Sequence, residues 1–246
     1  MNLEFKGKTV IVSGATRGIG KAIATAFLTE GAIVIGTYRS NKKAADAFKS
    51  SVDRSENLHL FPFDVANYSE VEAFYKTIEN DFPVIDILIN NSGIRKDSVL
   101  AMMSSEDWQS VISTNLTGCF NMSKFAIQNM MRQRYGRIIQ ICSPMSRLGF
   151  SGQANYAASK AGQEGMTKSM SKEVASRGIT VNCLSPGFID TELLTDLSED
   201  QRKEYKKMVP MRRFGKTEEV ANATLFLASD KAAYITGSTI DICGGV

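Results

Sequence analysis

Histidine and cysteine, which bind many protein metal ions, are scarce in this sequence. His59 is the only histidine, and it lies within a short apolar run, so we predict a structural role for it. The four cysteines, Cys119, Cys142, Cys183 and Cys243, are widely spaced and form no C-x-x-C pair. This spacing disfavours a zinc site and a disulfide framework. We therefore expect no bound metal and four reduced thiols in core or sheet-edge positions.

Strong charge of one sign and long apolar runs are also missing. Lys and Arg number 29 against 26 Asp and Glu, which gives a formal net charge of +3 at pH 7. So small an excess argues against a nucleic-acid surface or a membrane-binding patch. No apolar run approaches about 18 residues, and the first residues lack the apolar core of a signal peptide. We expect a cytoplasmic protein with no nucleic-acid or membrane partner.

What the chain does contain is a series of short apolar or β-branched runs separated by longer segments of helical periodicity. Most runs are apolar on both faces, as buried parallel strands are. Their alternation with helices implies right-handed βαβ crossovers. We predict a single α/β domain over 1–246, with a Rossmann-type doubly wound parallel sheet of about seven strands and helices on both faces. The runs begin at Thr9, Ala32, Leu58, Ile85, Arg137, Ile179 and Ser238.

The N-terminal and C-terminal parts of this domain are expected to have different functions. Residues 1–95 are predicted to bind mainly the cofactor, and residues 96–246 to carry the catalytic residues and the substrate region. One irregular stretch, from about 187 to 215, is longer than most connections between strands and helices. A stretch of this length is often a substrate lid, which we predict here.

A glycine-rich loop follows the first predicted strand. The stretch SGATRGIG has Gly14, Gly18 and Gly20 spaced G-x-x-x-G-x-G, and a helix follows at once. Glycines let the backbone turn tightly and approach a pyrophosphate, whose charge is favoured by the amides at a helix start. A tight turn without a ligand is the alternative. The position between a strand and a helix favours dinucleotide binding.

Residues after the next strands indicate which dinucleotide binds. An acid after the second strand would bind the ribose of NAD, whereas a basic residue accepts the 2′-phosphate of NADP. The chain has Arg39 there, no acid, and Arg17 in the glycine loop. We therefore predict NADP(H), with the alternative that Arg39 only begins an exposed helix.

Small and polar residues end the third and fourth strands. Asp64 and Val65 end the third, and Asn90 and Asn91 begin the NNSG stretch that ends the fourth. Ligands of open α/β sheets lie beyond the carboxyl ends of the strands, so these residues are expected to line the cofactor crevice. Either asparagine has an alternative role in capping the following turn.

Two stretches place a tyrosine four residues before a lysine, a spacing that shares one face of a helix. Tyr38 directly follows the second strand, in the expected adenosine region, where there is no reacting carbon. Tyr156 and Lys160 instead open a helix after the fifth strand, which we expect to end at Ser143. Both groups then lie near the sheet centre, where the nicotinamide must lie. The alternative is a packing tyrosine beside a solvated lysine.

Taken together, the glycine pattern, NNSG, Asn115, Ser143, YAASK from Tyr156 and PG from Pro186 resemble the short-chain dehydrogenase/reductase family over essentially the full chain. Within it, GQANYAASKAG, EVASRGITVN, PGFIDTE and AAYITG are similar to bacterial ketoreductases of type II fatty acid synthesis. The resemblance implies NADPH-dependent reduction of a 3-oxoacyl thioester on acyl carrier protein. It also implies a homotetramer, in which long helices predicted from Asp107 to Arg132 and from Tyr156 to Arg177 contact partners.

The resemblance also implies a role for each catalytic residue. Tyr156 is the general acid, and the ammonium of Lys160 stabilises its phenolate and bonds the nicotinamide ribose. Ser143 hydrogen-bonds the substrate carbonyl and its developing oxyanion. Asn115 bends its helix and holds a water in the proton relay. The implied cofactor-binding residues are Gly14, Thr16, Arg17, Gly18, Ile19, Gly20, Arg39, Asp64, Val65, Asn91, Ser92, Gly93, Tyr156, Lys160, Pro186, Gly187, Ile189 and Thr191.

Some residues depart from the family pattern. Ser13 stands where threonine is usual and Ser92 where alanine is usual, and because both are small we expect cofactor binding to survive. Pro144 restricts the residue before it and removes an amide donor, so it predicts a changed environment for Ser143. Ser146 is an alternative hydroxyl, but it falls beyond the strand end, so Ser143 is preferred.

Acyl carrier proteins are strongly acidic, so the resemblance also implies a basic patch beside the active-site mouth. Arg134 and Arg177 match positions where such reductases contact the carrier, although each has an alternative role in complementing a helix C-terminus. Two other functions remain open. One is a related enzyme that acts on another ketone or alcohol, and the other is a non-catalytic dinucleotide-binding protein, against which the intact catalytic residues argue.

Overall fold

The predicted strands form one parallel sheet of seven strands in the order β3-β2-β1-β4-β5-β6-β7. The computed structural model describes residues 5–192 and 198–246. The order reverses between β1 and β4, and ligands of such sheets bind in the crevice at this point. The strands are β1 (Thr9–Val12), β2 (Ile33–Tyr38), β3 (Leu58–Pro62), β4 (Ile87–Asn90), β5 (Gly136–Ile141), β6 (Ile179–Pro186) and β7 (Thr239–Ile242).

Helices cover both faces of the sheet, which confirms the predicted doubly wound fold. No helix within residues 5–192 and 198–246 is both long and apolar enough to cross a membrane. The helices are α1 (Gly18–Thr29), α2 (Lys42–Ser50), α3 (Tyr68–Ile78), α4 (Ser105–Ile112), α5 (Gly118–Gln133), α6 (Met145–Leu148), α7 (Ala154–Val174), α8 (Glu199–Met208) and α9 (Thr217–Ala228).

The central strand β1 is apolar on both faces because each face packs against its own layer of helices. Successive strand residues point to opposite faces. Val10 and Val12 of β1 pack with residues of α1 and α9, whereas Ile11 packs with residues of α3 and α5. This arrangement is the reason that the sequence of β1 shows no polar alternation.

Two long helices predicted from the sequence are interrupted in the structure. Between α4 and α5 the residues Ser113–Thr117 form a π-helical turn, and α7 ends at Val174 before a 3₁₀ turn over Ala175–Arg177. A π turn within a helix carries one extra residue and often marks a functional position.

The predicted lid region contains a helix that the sequence analysis missed. Residues 193–197 of this region lie outside the described residues. Helix α8 follows them, and its start has a capping box in which Ser198 and Gln201 satisfy each other's backbone amides. This S-x-x-Q pattern is visible in the sequence and predicts a helix start. Residue Ile189 pairs with Gly215, which closes the base of the region.

Candidate active site

The glycine loop is held tightly by Asn91, which follows β4. The Nδ2 atom of Asn91 donates to the carbonyls of Ser13 and Gly14 at 3.0 and 3.1 Å, and the Ser13 hydroxyl accepts from the Asn91 amide. A Cβ atom at Gly20 would lie 2.2 Å from the Gly14 carbonyl oxygen. Only glycine fits at position 20, because the start of α1 lies directly against the loop there. This cradle suits a dinucleotide pyrophosphate.

Other predicted cofactor residues meet at the same sheet edge. A Cβ atom on Gly18 would lie 3.6 Å from Cγ2 of Thr191, so the segment after β6 reaches the glycine loop. Pro186 ends β6, and the Gly187 amide donates to the Ile242 carbonyl. Arg17 is exposed, whereas Thr16 and Ile19 are half-buried beside it.

Arg39, which was predicted to bind a 2′-phosphate, forms an ion pair in the structure. Its Nε atom lies 3.0 Å from Oδ2 of Asp64, and Arg39 remains mostly exposed. The pair joins the carboxyl ends of β2 and β3, so Asp64 orients the guanidinium and also reduces its net charge. Val65 is buried against Gly118 of α5, so its side chain belongs to the core.

The two asparagines at the end of β4 bond to other segments rather than to the following turn. Asn90 is buried, and its Nδ2 atom donates to the Ser123 hydroxyl at 2.9 Å. Asn91 braces the glycine loop as described. Ser92 donates its amide to the Ser13 hydroxyl, and a Cβ atom on Gly93 would lie 3.7 Å from Nζ of Lys160. The end of β4 therefore connects the glycine loop with the predicted catalytic lysine.

Tyr156 and Lys160 lie on the first turns of α7, one turn apart. Lys160 is buried, with its Nζ atom 5.6 Å from the centre of the Tyr156 ring, and it donates to the Ile141 carbonyl at 2.7 Å. The Tyr156 backbone is fixed at both ends, because its amide donates to Asn155 Oδ1 and its carbonyl accepts from the Ser159 hydroxyl. Because Lys160 is buried, the alternative interpretation as a solvated lysine does not apply to it.

Asn115 occupies the π turn and connects three segments of the site. Its Oδ1 atom accepts from the Ile94 amide at 2.8 Å, and its Nδ2 atom donates to the Ile94 carbonyl and to the Ser159 hydroxyl. Its backbone carbonyl accepts from Nε2 of Gln163 at 2.7 Å. Gln163 was not predicted from the sequence, because a glutamine on a helix gives no pattern that indicates a buried contact.

Ser143 follows β5 by two residues and is buried at the base of the cleft. Its hydroxyl oxygen accepts from the Met145 amide at 3.3 Å. Pro144 is the N-cap residue of the short helix α6, with a φ of −61°, and an amide at this position would have no partner within the helix. The Ser143 carbonyl accepts from both the amide and the hydroxyl of Ser146. Ser146 thus supports Ser143.

A polar network that the sequence analysis did not find fixes α6 against α7. The Ser146 hydroxyl lies 2.6 Å from Oε1 of Glu164, which is buried on α7 one turn after Lys160. Arg147 of α6 approaches Glu164 at 3.7 Å and bonds Asp241 at the end of β7. The network therefore joins the segment that carries Ser143 to the helix that carries Tyr156.

The single histidine and most of the cysteines are packed within the fold. His59 packs against Phe82 at a ring distance of 4.9 Å, and burial lowers its pKa. The four cysteines are free, three of them buried, and burial raises the pKa of Cys119 to about 11. No cluster that could hold a metal ion occurs within the described part of the chain.

Comparison with known proteins assigns the family. A family model described as "Enoyl-(Acyl carrier protein) reductase" matches residues 14–246. The 3-oxoacyl-[acyl-carrier-protein] reductase FabG of Vibrio cholerae is 46% identical over 246 residues, which cover 100% of this chain and 99% of that protein. The chain belongs to the short-chain dehydrogenase/reductase family. Membership implies a nicotinamide dinucleotide cofactor, which the cradle at Gly20 and Gly14 fits.

Further relatives come from other bacteria. The chain is 46% identical to the FabG reductase of Escherichia coli over 244 residues, 99% of each protein. It is 42% identical to that of Staphylococcus aureus over 241 residues, 97% of this chain and 98% of the other. Near-complete coverage of both proteins means that the similarity includes the whole sheet and the lid region.

The two arginines predicted to contact a carrier lie at the other edge of the sheet. Arg134 caps α5 in a left-handed conformation, with a φ of 56°, and Arg177 ends the turn after α7. Each precedes the amino end of a strand, β5 or β6, whereas Ser143 follows the carboxyl end of β5. Arg134 donates to the Ser176 carbonyl, as a residue that satisfies a helix end does. Within one chain, neither arginine lies beside the cleft.

Replacing Glu164 with alanine should lower kcat about tenfold while leaving the dissociation constant of the cofactor nearly unchanged. The change removes a hydrogen-bonded carboxylate from Ser146 and so loosens the segment that presents Ser143. Tenfold in kcat corresponds to about 1.4 kcal/mol of transition-state free energy. Steady-state kinetics with a saturating cofactor measures it.

The matched control for this variant is Glu173→Ala. Glu173 lies on the same helix and accepts from the Ser169 hydroxyl at 3.1 Å, but this pair is exposed and far from Ser143 along the helix. Glu173→Ala should keep full kcat, and Glu164→Gln should retain most of it. Equal kcat values for Glu164→Ala and Glu173→Ala would refute a positioning role for Glu164.

Proposed function

We propose that this protein reduces the 3-oxoacyl thioester of acyl carrier protein to the 3-hydroxyacyl thioester in type II fatty acid synthesis, with NADPH as reductant. The observation that carries the chemistry is the buried Lys160 beside Tyr156. Its ammonium donates to the carbonyl of Ile141, two residues before Ser143. The substrate follows from the bacterial relatives, which are named 3-oxoacyl-[acyl-carrier-protein] reductases.

Each of the proposed catalytic residues has a separate role in carbonyl reduction. The bound cofactor supplies a hydride to the carbonyl carbon. The Tyr156 hydroxyl transfers its proton to the carbonyl oxygen, and the Lys160 ammonium stabilises the phenolate that remains. The Ser143 oxygen already accepts from the Met145 amide, so its own proton is directed to the developing oxyanion. Asn115 holds Ser159, which in turn holds the Tyr156 carbonyl.

An absorbance assay of NADPH oxidation tests this proposal. Acetoacetyl-acyl-carrier-protein should be reduced, and a 2-enoyl thioester on the same carrier, which the family description raises as an alternative, should not. A higher kcat/KM on an unrelated ketone than on the 3-oxoacyl thioester would favour another reductase of the family. Cofactor binding without turnover on any substrate would favour a non-catalytic dinucleotide-binding protein.

NADPH should bind at least tenfold more tightly than NADH, a difference of about 1.4 kcal/mol. Arg39 and Arg17 are exposed basic residues beside the adenosine end of the crevice, and a charge-assisted hydrogen bond to the 2′-phosphate contributes this much. Fluorescence titration with both cofactors measures the two dissociation constants.

Arg39→Ala should remove most of the preference by weakening NADPH and sparing NADH. Lys43→Ala is its control, because Lys43 is an equally exposed basic residue on the neighbouring helix α2. Equal dissociation constants for the two cofactors in the parent protein would rule out the proposed specificity.

The family resemblance also supports a homotetramer in the cytoplasm. Apolar side chains on the outer side of α4 and α5, among them Trp108, Phe120 and Met131, are partly exposed and suit contacts between copies. Light scattering at micromolar concentration distinguishes a tetramer from a monomer. We also propose a division into a cofactor part (1–95) and a catalytic part (96–246), because most of the predicted cofactor-binding residues precede Ile94.

A further inference from the structure

A buried glutamine that the proposed mechanism does not use lies on the same helix face as Lys160. Gln163 follows Lys160 by three residues on α7, and side chains at this spacing share one face of a helix. Gln163 is fully buried, and Lys160 is 3% exposed. A glutamine amide has two N–H donors and an oxygen acceptor, and burying them costs free energy unless each group finds a partner.

The amide group of Gln163 is fixed in one orientation. Its Nε2 atom donates to the backbone carbonyl of Asn115 at 2.7 Å and also to the thiol sulfur of Cys119. Both hydrogens of the amide nitrogen are thus used. Turning the amide over would place its oxygen against the Asn115 carbonyl, so that two acceptors would face each other. Because Asn115 lies in the π turn Ser113–Thr117, this turn determines where the Gln163 oxygen points.

The oxygen of this amide has no hydrogen-bond partner in the part of the chain that the structure describes. Oε1 of Gln163 is buried, and no donor within residues 5–192 and 198–246 bonds it. A buried acceptor without a donor destabilises a fold, and in native proteins such an atom usually bonds an ordered water. The surroundings of Oε1 therefore decide which donor such a water would also contact.

The Lys160 ammonium has more donors than the described residues have acceptors for it. One of its three N–H groups bonds the Ile141 carbonyl, and no other bond from Nζ occurs within residues 5–192 and 198–246. The family resemblance assigns a second N–H group to the nicotinamide ribose, which leaves the third without an acceptor. Burial raises the pKa of the Cys119 thiol to about 11, and the Lys160 charge opposes this rise, so the ammonium lies near a partner of Gln163.

We propose that Gln163 is a positioning residue for carbonyl reduction, and that its Oε1 atom binds a buried water which also contacts the Lys160 ammonium. The water accepts from Nζ of Lys160 and donates to Oε1, so a single molecule satisfies both buried groups. Gln163 then connects the ammonium to the π turn and fixes its place beside Tyr156. This inference rests on the proposed function, because it assumes that Lys160 assists proton transfer from Tyr156.

A high-resolution crystal structure of the protein with bound NADP⁺ tests the water site directly. We expect electron density for a water within hydrogen-bonding distance of both Oε1 of Gln163 and Nζ of Lys160. A direct bond between these two side chains, or an Oε1 atom without a water beside it, would overturn the water site. This measurement needs no turnover, so its result does not depend on whether the protein reduces a 3-oxoacyl thioester.

Gln163→Met tests the positioning role, because methionine keeps the approximate shape of glutamine without its polar atoms. It should lower kcat for the 3-oxoacyl thioester about tenfold, and it should change KM little, since Gln163 lies beneath the substrate cleft. With the ammonium held less firmly, proton transfer should become slower relative to the other steps. The solvent deuterium isotope effect on kcat should therefore rise.

Thr167→Val is the matched control. Thr167 is buried one turn farther along the same face of α7 and accepts from the Cys183 thiol at 3.2 Å. Removing this hydroxyl should leave both kcat and the isotope effect at parent values. A loss of kcat in Gln163→Met without a rise in the isotope effect, or an equal loss in Thr167→Val, would indicate a purely structural role.

Two further results separate this inference from the function on which it rests. Parent-like kcat in a folded Gln163→Met variant would refute the positioning role while leaving the proposed function intact. No turnover of any 3-oxoacyl thioester by the parent protein would instead refute the proposed function. If Gln163→Met does not fold, as judged by its thermal unfolding, the crystal structure with NADP⁺ still decides whether Gln163 and Lys160 share a water.

Discussion

Tyr156→Phe should lower turnover of the 3-oxoacyl thioester by roughly 10² to 10⁴, the usual contribution of a positioned general acid. Phenylalanine keeps the ring, so the contacts of the Tyr156 backbone with Asn155 and Ser159 should persist. The melting temperature and the dissociation constant of NADPH should therefore stay close to those of the parent. Single-turnover kinetics at saturating substrate isolates the chemical step.

Tyr38→Phe is the matched control, because Tyr38 also precedes a lysine by four residues. In the structure Tyr38 ends β2, and Lys42 forms an ion pair with Asp46 at 2.9 Å, one turn along α2. Removing the Tyr38 hydroxyl should leave turnover unchanged. Parent-like turnover in Tyr156→Phe would mean that another group donates the proton.

Gly20→Ala should nearly abolish cofactor binding. The added methyl group would lie 2.2 Å from the Gly14 carbonyl and 2.4 Å from Nδ2 of Asn91, far inside van der Waals contact. Relief requires the glycine loop to move away from α1, which deforms the pyrophosphate cradle. Forcing a methyl into such a contact also costs about 1–3 kcal/mol of folding free energy. Thermal unfolding and cofactor titration measure the two effects.

Gly165→Ala provides the comparison, since Gly165 lies in α7 and a methyl group there would meet nothing within 4 Å. Alanine in a helix interior should stabilise the protein by about 0.5–1 kcal/mol relative to glycine. An unchanged dissociation constant for NADPH in Gly20→Ala would show that the close approach of Gly20 to the loop does not shape the site.

The sheet could be predicted from the sequence because its signals are local. A parallel strand that is buried on both faces is mostly apolar, and most of the seven runs show this over a few residues. The glycine loop and the Tyr156 motif are equally compact. Topology then brings residues from different strands to one edge, so strand order predicts that Ser143 and the start of α7 lie at the same edge of the sheet.

Contacts between distant positions could not be predicted in this way. The pair of Arg39 with Asp64 and the contact of Ser146 with Glu164 join residues that are 25 and 18 positions apart in the sequence. Nothing in their local sequence distinguishes them from solvated side chains. The carrier contact of Arg134 stays a prediction, because a helix C-terminus leads to the amino end of the next strand and so lies away from the cleft of its own chain.

The burial of Lys160 also determines how the protein responds to reagents that acylate amines. Its ammonium is enclosed and donates to the Ile141 carbonyl, whereas Lys206 and Lys207 project into solvent. Acylation needs an accessible, neutral amine, so brief treatment modifies surface lysines first. Reductase activity should therefore persist through brief treatment. Its later loss would report how often the start of α7 opens away from β5.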